Sequence, residues 1–207
     1  MPRFANKNKR MLEVNISGDK VLALAGSMVA YEGSVKFEKA ILGGSGGIFG
    51  ALKRAATGEG IPLMACTGNG VIYFAKDAHD VNVLEISGNK LFVESSSLLA
   101  YDPALKTDVA FKGLRGMTSG QGLFTTSLDG RGSVALLSYG PLIAFEVSPQ
   151  YPLCVDPDAF VAYQGNLQQE FVFDVNWKNF IGQGSGESFQ FKFSGTGLVY
   201  IQPAERK

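Results

Sequence analysis

Apolar and polar residues alternate with a period of two along many short stretches of this chain. Phe189-Gln190-Phe191-Lys192-Phe193 is apolar on one face only, and Phe171 to Val175 and Val81 to Ile86 follow the same rule. That period belongs to extended strands with one buried face. Val71 to Ala75 is an unbroken apolar run, read as a strand covered on both faces. Helical periodicity is scarce. Gly50 to Ala56 has room for two turns and Asn176 to Ile181 for one. The pattern therefore predicts an all-β chain.

The pattern also repeats. GSMVAYEGSVKF from Gly26, SSLLAYDPALKTDVAF from Ser96 and DAFVAYQGNLQQEFVF from Asp158 each run from an apolar pair into Ala-Tyr, a turn and an alternating strand. The anchors are Ala30-Tyr31, Ala100-Tyr101 and Ala162-Tyr163. Upstream, Ile16-Ser17-Gly18-Asp19-Lys20-Val21 returns as Ile86-Ser87-Gly88-Asn89-Lys90-Leu91, and both read as hairpin turns. Ser148-Pro149-Gln150 stands in that place in the third copy. Downstream come Gly58-Glu59-Gly60, Gly130-Arg131-Gly132 and Gly195-Thr196-Gly197. Strands are expected next, at Ile61 to Cys66, Ser133 to Ser138 and Leu198 to Gln202. On this alignment the first copy carries an insertion between Phe49 and Gly60. Three diverged β-repeats, roughly 11–80, 81–146 and 147–207, imply one barrel-like domain with pseudo-threefold symmetry. Closure would remove exposed strand edges. Residues 1–10, polar and basic, read as a flexible tail without the apolar core of a signal peptide.

Composition agrees with a folded β-protein. The 207 residues are 45% hydrophobic and 18% charged, enough for a large core. Twenty-six glycines and 15 phenylalanines suit short strands and tight turns. Nineteen basic and 19 acidic residues leave no net charge, so nothing draws the chain to nucleic acid or to anionic membranes as a whole. Cys66 and Cys154 lie in apolar runs and are read as two reduced core thiols. The longest apolar stretch, Val134 to Val147, is broken by Gly140-Pro141 and is too short for a membrane helix. A cytoplasmic location is expected.

The segments GSMVAYEGSVKFEKAILGG, GALKRAATGEGIPLMACTGNGVIYFA, LLAYDPAL, GLFTTSLDGRGSVALLSYGP and PLCVDPDAFVAY resemble the altered inheritance of mitochondria protein 24 family, from about Gly26 to Pro203. The resemblance implies a fold similar to that of the tryptophan RNA-binding attenuation protein, made of double-stranded β-helix-like units. It implies no established enzyme activity and no site residues. It points to a bacterial member of the family. A shared fold is no argument for binding tryptophan or RNA.

Candidate chemistry is thin. His79, the single histidine, sits in the loop Lys76 to Asp80, and no Gly-x-Ser-x-Gly elbow accompanies it there. One histidine and two separated cysteines do not make a zinc site. Asp156-Pro157-Asp158 reads as a turn. Gly43-Gly44-Ser45-Gly46-Gly47-Ile48-Phe49-Gly50 is glycine-rich, but neither nucleotide-binding fingerprint fits it. With Lys53 and Arg54 following, it offers two uses. Its backbone N–H groups could hold an anion or small molecule. Alternatively Gly43, Gly44, Gly46, Gly47, Ile48, Phe49, Lys53 and Arg54 form an apolar-basic interaction loop toward another subunit, a protein or a membrane surface. The expectation is a non-enzymatic scaffold or interaction protein that self-associates, with no cofactor and no nucleic acid.

Overall fold

The structure, a computed structural model, describes residues 1–41, 61–112, 123–173 and 189–204. Its described secondary structure is strand, apart from one 3-10 turn at Ser95–Ser97. The ladders are antiparallel. The chain divides into two compact units, Met1–Ser138 and Tyr139–Lys207.

The first unit holds β1 (Arg3–Asn8), β2 (Met11–Leu24), β3 (Met28–Ile41), β4 (Pro62–Phe74), β5 (Asp80–Ser87), β6 (Leu91–Glu94), β7 (Leu98–Tyr101), β8 (Lys106–Lys112), β9 (Leu123–Asp129) and β10 (Arg131–Ser138). Seven of these form a sheet in the order β3-β4-β2-β7-β10-β5, with β1 also on β2. Alternation along β2 and β4 explains the core. Leu12, Val14 and Ile16 meet Ile72 and Phe74 on one face, and Leu99, Ala135 and Leu137 join them, all buried. Strand β9 pairs with β6 on one side and β8 on the other.

Three expectations fail here. The sheet is an open path ending at β3 and β5, so it is not a closed barrel: among the described residues no ladder joins the two ends. Val71 to Phe74 is not covered on both faces either. Ile72 and Phe74 are buried, while Val71 and Tyr73 are only half-buried on the other face. The N-terminal residues read as a tail are strand β1, which runs from Arg3 opposite Asn15 to Asn8 opposite Met11. Phe4 packs against the core, and the Asn6 side-chain amide donates to the Val81 carbonyl at 3.0 Å.

The second unit is built on β14 (Phe189–Ile201), with β13 (Phe160–Phe173) on one side. On the other side lie β11 (Ile143–Val147) and then β12 (Leu153–Val155). Aromatic rings fill its core. Phe160 stands edge-on to Phe191 and stacks on Phe193, each at 5.6 Å, and Tyr163 lies 5.4 Å from Phe193.

The expected hairpins at Ser-Gly are absent, because at neither site do the two flanking segments pair with each other. Ser17 faces Asn69 and Asp19 faces Gly68, so Gly18, at φ +71°, is an extra residue in a continuous strand: a bulge. Ser87-Gly88-Asn89 links β5 to β6, and the Gly88 N–H donates to the Gly130 carbonyl at 2.9 Å. Ser148-Pro149-Gln150 leaves β14 after Val147 and returns at Leu153.

Glycines sit where strands come closest. Gly165 faces Gly197, and Gly33 faces Gly70. A Cβ on Gly165 would lie 2.7 Å from both the Gly197 Cα and the Thr196 carbonyl oxygen. One on Gly70 would overlap the Glu32 carbonyl oxygen. The strand partner of Gly33 is thus in Gly68-Asn69-Gly70, not in Gly58-Glu59-Gly60, which lies outside the described residues. Gly165→Ala should cost about 2–5 kcal/mol, since it adds a backbone collision to an unfavourable φ of +104°. Gly18→Ala meets nothing within 4 Å and should cost about 1–2 kcal/mol. Urea midpoints compare the two, and equal losses would remove the close approach as the cause.

Candidate interaction surface

The residues marked as an interaction loop (Gly43, Gly44, Gly46, Gly47, Ile48, Phe49, Lys53 and Arg54) lie outside the described residues, between β3 and β4 in the chain. So do the two short helical stretches from Gly50 and from Asn176.

The chemistry-bearing side chains are used by turns. His79 is half-buried after β4, and its Nδ1 lies 3.0 Å from the Lys76 carbonyl oxygen, which accepts from the ring. Asp156 accepts from the Asp158 N–H at 2.8 Å, and its own carbonyl accepts from Ala159 at 3.0 Å. Asp102 does the same work before β8, accepting from the Ala104 N–H at 2.8 Å. These are side-chain turns that lead the chain into a strand. No group of three or more histidine, cysteine or acidic residues among the described residues could hold a metal ion. Sequence reading passed over a buried hydroxyl cluster at β6 and β9. Ser95 and Thr126 share a hydrogen bond of 2.9 Å, Glu94 accepts from the Ser96 N–H at 3.0 Å, and the Thr125 hydroxyl opposite Glu94 is buried without a partner.

The three Ala-Tyr anchors occupy like registers but unlike environments. Ala30 faces Tyr73, Ala100 faces Ala135 and Ala162 faces Tyr200, each next to a register shift. Tyr101 and Tyr163 are buried. Burial pushes the Tyr101 phenol up to about 12, against a hydrogen bond with Thr107 that works the other way. Burial also raises Tyr163. Tyr31, by contrast, is 49% exposed. The cause is pairing. Tyr101 sits on β7, which is flanked by β10 and by β2, where Leu22 faces Tyr101 and Ala23 faces Ala100. Tyr31 sits on β3, at the end of its sheet, where among the described residues β4 is its one strand neighbour.

Strand β3 is therefore a 14-residue edge whose two halves differ. The C-terminal half carries Lys36, Glu38 and Lys39, all exposed, and charges of this kind discourage a second strand from adding. The N-terminal half, Met28 to Gly33, presents Val29 at 53% exposure and Tyr31 with only Glu32 charged. Glu32 is engaged on the sheet face, where it accepts from the Tyr73 hydroxyl at 3.1 Å. Lys7 lies 5.5 Å above the Tyr73 ring and pairs with Glu13 at 3.0 Å. A polar ladder thus covers the face, while the edge itself is bare. The signal was present in the sequence as the switch from Val29-Ala30-Tyr31 to Lys36-Phe37-Glu38-Lys39.

The second unit has an apolar edge of its own. Ile143 and Phe145 on β11 are 38% and 39% exposed, and Tyr151, just before β12, is 78% exposed. Cys154 on β12 is exposed as well, which corrects the reading of two core thiols. Among the described residues its three-residue strand pairs with β14 alone and its middle position is exposed, whereas Cys66 is fully buried within β4.

Comparison with known proteins comes to the same architecture. The family described as mitochondrial biogenesis AIM24 matches residues 3–204. The X-ray structure of protein SPYM3_0169 from Streptococcus pyogenes is similar, with a TM-score of 0.73 at 20% identity, over 99% of this chain and 94% of that one. At that identity the likeness speaks for the fold. No curated protein matches.

Two outcomes follow. A thiol reagent should titrate one cysteine per native chain and two after unfolding, because Cys66 is enclosed and its thiol is pushed up to about 11 by burial. Stability should also fall as pH rises from about 10 to about 12. The unfolded chain ionises its tyrosines first, while buried Tyr101 holds its proton, so the unfolded state binds fewer protons across that window. Tyr101→Phe should flatten the loss, read as the change in urea midpoint between about pH 9 and about pH 11.

Proposed function

The chain belongs to the mitochondrial biogenesis AIM24 family, and on that premise we propose that it is a non-enzymatic interaction protein that self-associates through the bare half of β3. The observation that carries the reading is the contrast along this one edge. Val29 and Tyr31 stand exposed where the matching Ala-Tyr strand β7 is covered by β2. Unpaired backbone N–H and C=O groups beside exposed apolar side chains form a ready template for a further strand. The histidine and the carboxylates of Asp102 and Asp156 serve turns, which favours an interaction role over catalysis. A cytoplasmic setting suits the two unbridged cysteines.

The three-copy reading belongs to the same proposal. What supports it is the recurrence of one pairing scheme. Strands β2 and β3 flank β4, β5 and β7 flank β10, and β11 and β13 flank β14. A likeness to the tryptophan RNA-binding attenuation protein would then be one of unit design alone.

Light scattering on the eluting protein tests the proposal. A mass of two or more chains is expected at about ten micromolar, and Val29→Lys should weaken association about ten-fold or more by placing a charge on the edge. Val29 is half exposed, so folding should survive the change. A single-chain mass for the unaltered protein would overturn the reading. A stoichiometric small molecule seen by native mass spectrometry on such a monomer would favour ligand binding at residues 43–54 instead.

A further inference from the structure

The open edge of β3 has an identifiable counterpart, and naming it rests on the self-association reading above. Within the first unit, β2 covers the Ala-Tyr of β7 with Leu22 opposite Tyr101 and Ala23 opposite Ala100. Those two residues are fixed by their other neighbour, β4, where Leu22 faces Ala65 and Ala23 faces Met64. Ala65 and Met64 lie five and six residues before Gly70, the glycine that faces Gly33. In the second unit the glycine crossing is Gly165 with Gly197. The residues five and six before Gly197 are Lys192 and Phe191, and they face Cys154 and Val155 on β12. Cys154-Val155 therefore holds the position on β14 that Leu22-Ala23 holds on β4.

Leu22-Ala23 has an Ala-Tyr strand on its far side. Cys154 has solvent there, since it is exposed and β12 is paired with β14. Ala30-Tyr31 has the complementary lack.

We propose that the strand covering the bare half of β3 is β12 of a second copy of this chain, antiparallel, with Tyr31 opposite Cys154 and Ala30 opposite Val155. The register repeats Tyr101 with Leu22 and Ala100 with Ala23. It sets Glu32 against Leu153, so no like charges meet. It brings the exposed Val29 and Tyr31 to the edge that carries exposed Ile143, Phe145 and Tyr151. Pairing stops at Pro152, which has no N–H to give, so the seam is short. A contact between two different surfaces is head-to-tail. Each copy gives one edge and receives another, and the short seam gains strength when the set closes into a ring or a reciprocal pair.

Tyr31→Cys tests the register, because it places a thiol opposite the exposed native Cys154 while Cys66 stays enclosed. Directly opposed residues on neighbouring strands have Cβ atoms about 5 Å apart, within reach of a short bis-maleimide. Denaturing gels should show covalent dimers and larger products from Tyr31→Cys. These should be absent from the unaltered protein and from the double variant Tyr31→Cys, Cys154→Ser. Equal cross-linking in the double variant would mean that β3 pairs with β3, and would overturn the proposal. So would chains that stay at monomer mass after cross-linking while light scattering still reports an assembly, which leaves self-association standing. Single-chain scattering by the unaltered protein would remove both. If Tyr31→Cys itself dissociates the protein, Glu32→Cys with Leu153→Cys in a Cys154→Ser background probes the same register one residue on, and failure of that pair to cross-link an intact assembly also overturns it.

Discussion

Two backbones meet too closely for a side chain where Gly33 faces Gly70 and where Gly165 faces Gly197. At each place a single added carbon would occupy space already held by a carbonyl oxygen of the opposite strand. Much of the architecture depends on this approach. It lets strands of 13 and 14 residues change direction without breaking their ladders. Tyr31 and Phe37 show the result. Six residues of straight strand would separate them by about 20 Å. Their ring centroids are 5.2 Å apart, so β3 turns sharply between them. One strand can then serve two directions of pairing, and β2 does so, holding β1 along its first half and β7 at Leu22 and Ala23.

A strand that bends in the middle can have two halves with different surroundings. This is the physical origin of the asymmetry on β3. Beyond Gly33 the chain carries lysines and a glutamate and repels further pairing. Before Gly33 it carries Val29, Ala30 and Tyr31 with their edge open. The same Ala-Tyr dipeptide on β7 and β13 is buried. Nothing intrinsic to the dipeptide therefore makes Tyr31 exposed. Its position at the end of a sheet does.

The alternation of Val81 to Ile86, Phe171 to Phe173 and Phe189 to Phe193 placed strands correctly, and along the last of these Phe191 and Phe193 are buried while Gln190 and Lys192 are half-buried, which is what period two records. The Ser-Gly-Asp and Ser-Gly-Asn motifs misled for an equally physical reason. A glycine at positive φ beside a short polar residue serves a two-residue hairpin turn and a bulge alike. The two differ only in whether the next residues pair with the preceding strand or continue along the old partner, which is a long-range fact. Gly58-Glu59-Gly60 lies outside the described residues, and the glycine that faces Gly33 is Gly70. Sheet closure was inferred from symmetry, and symmetry in sequence does not say whether the end strands meet.

The edge on β3 was legible in part. Its chemistry can be read along the chain, as an uncharged stretch followed by a charged one. Its openness cannot, because exposure depends on which other strand lies alongside. The structure adds the missing term by showing what covers the same dipeptide elsewhere: a strand presenting two apolar residues in a fixed register to the glycine crossing. The crossing is thus a ruler as well as a corner. Measured from Gly70 and from Gly197, it assigns Leu22-Ala23 and Cys154-Val155 to one position. The constraint that bends each strand also sets the register in which another strand can be received.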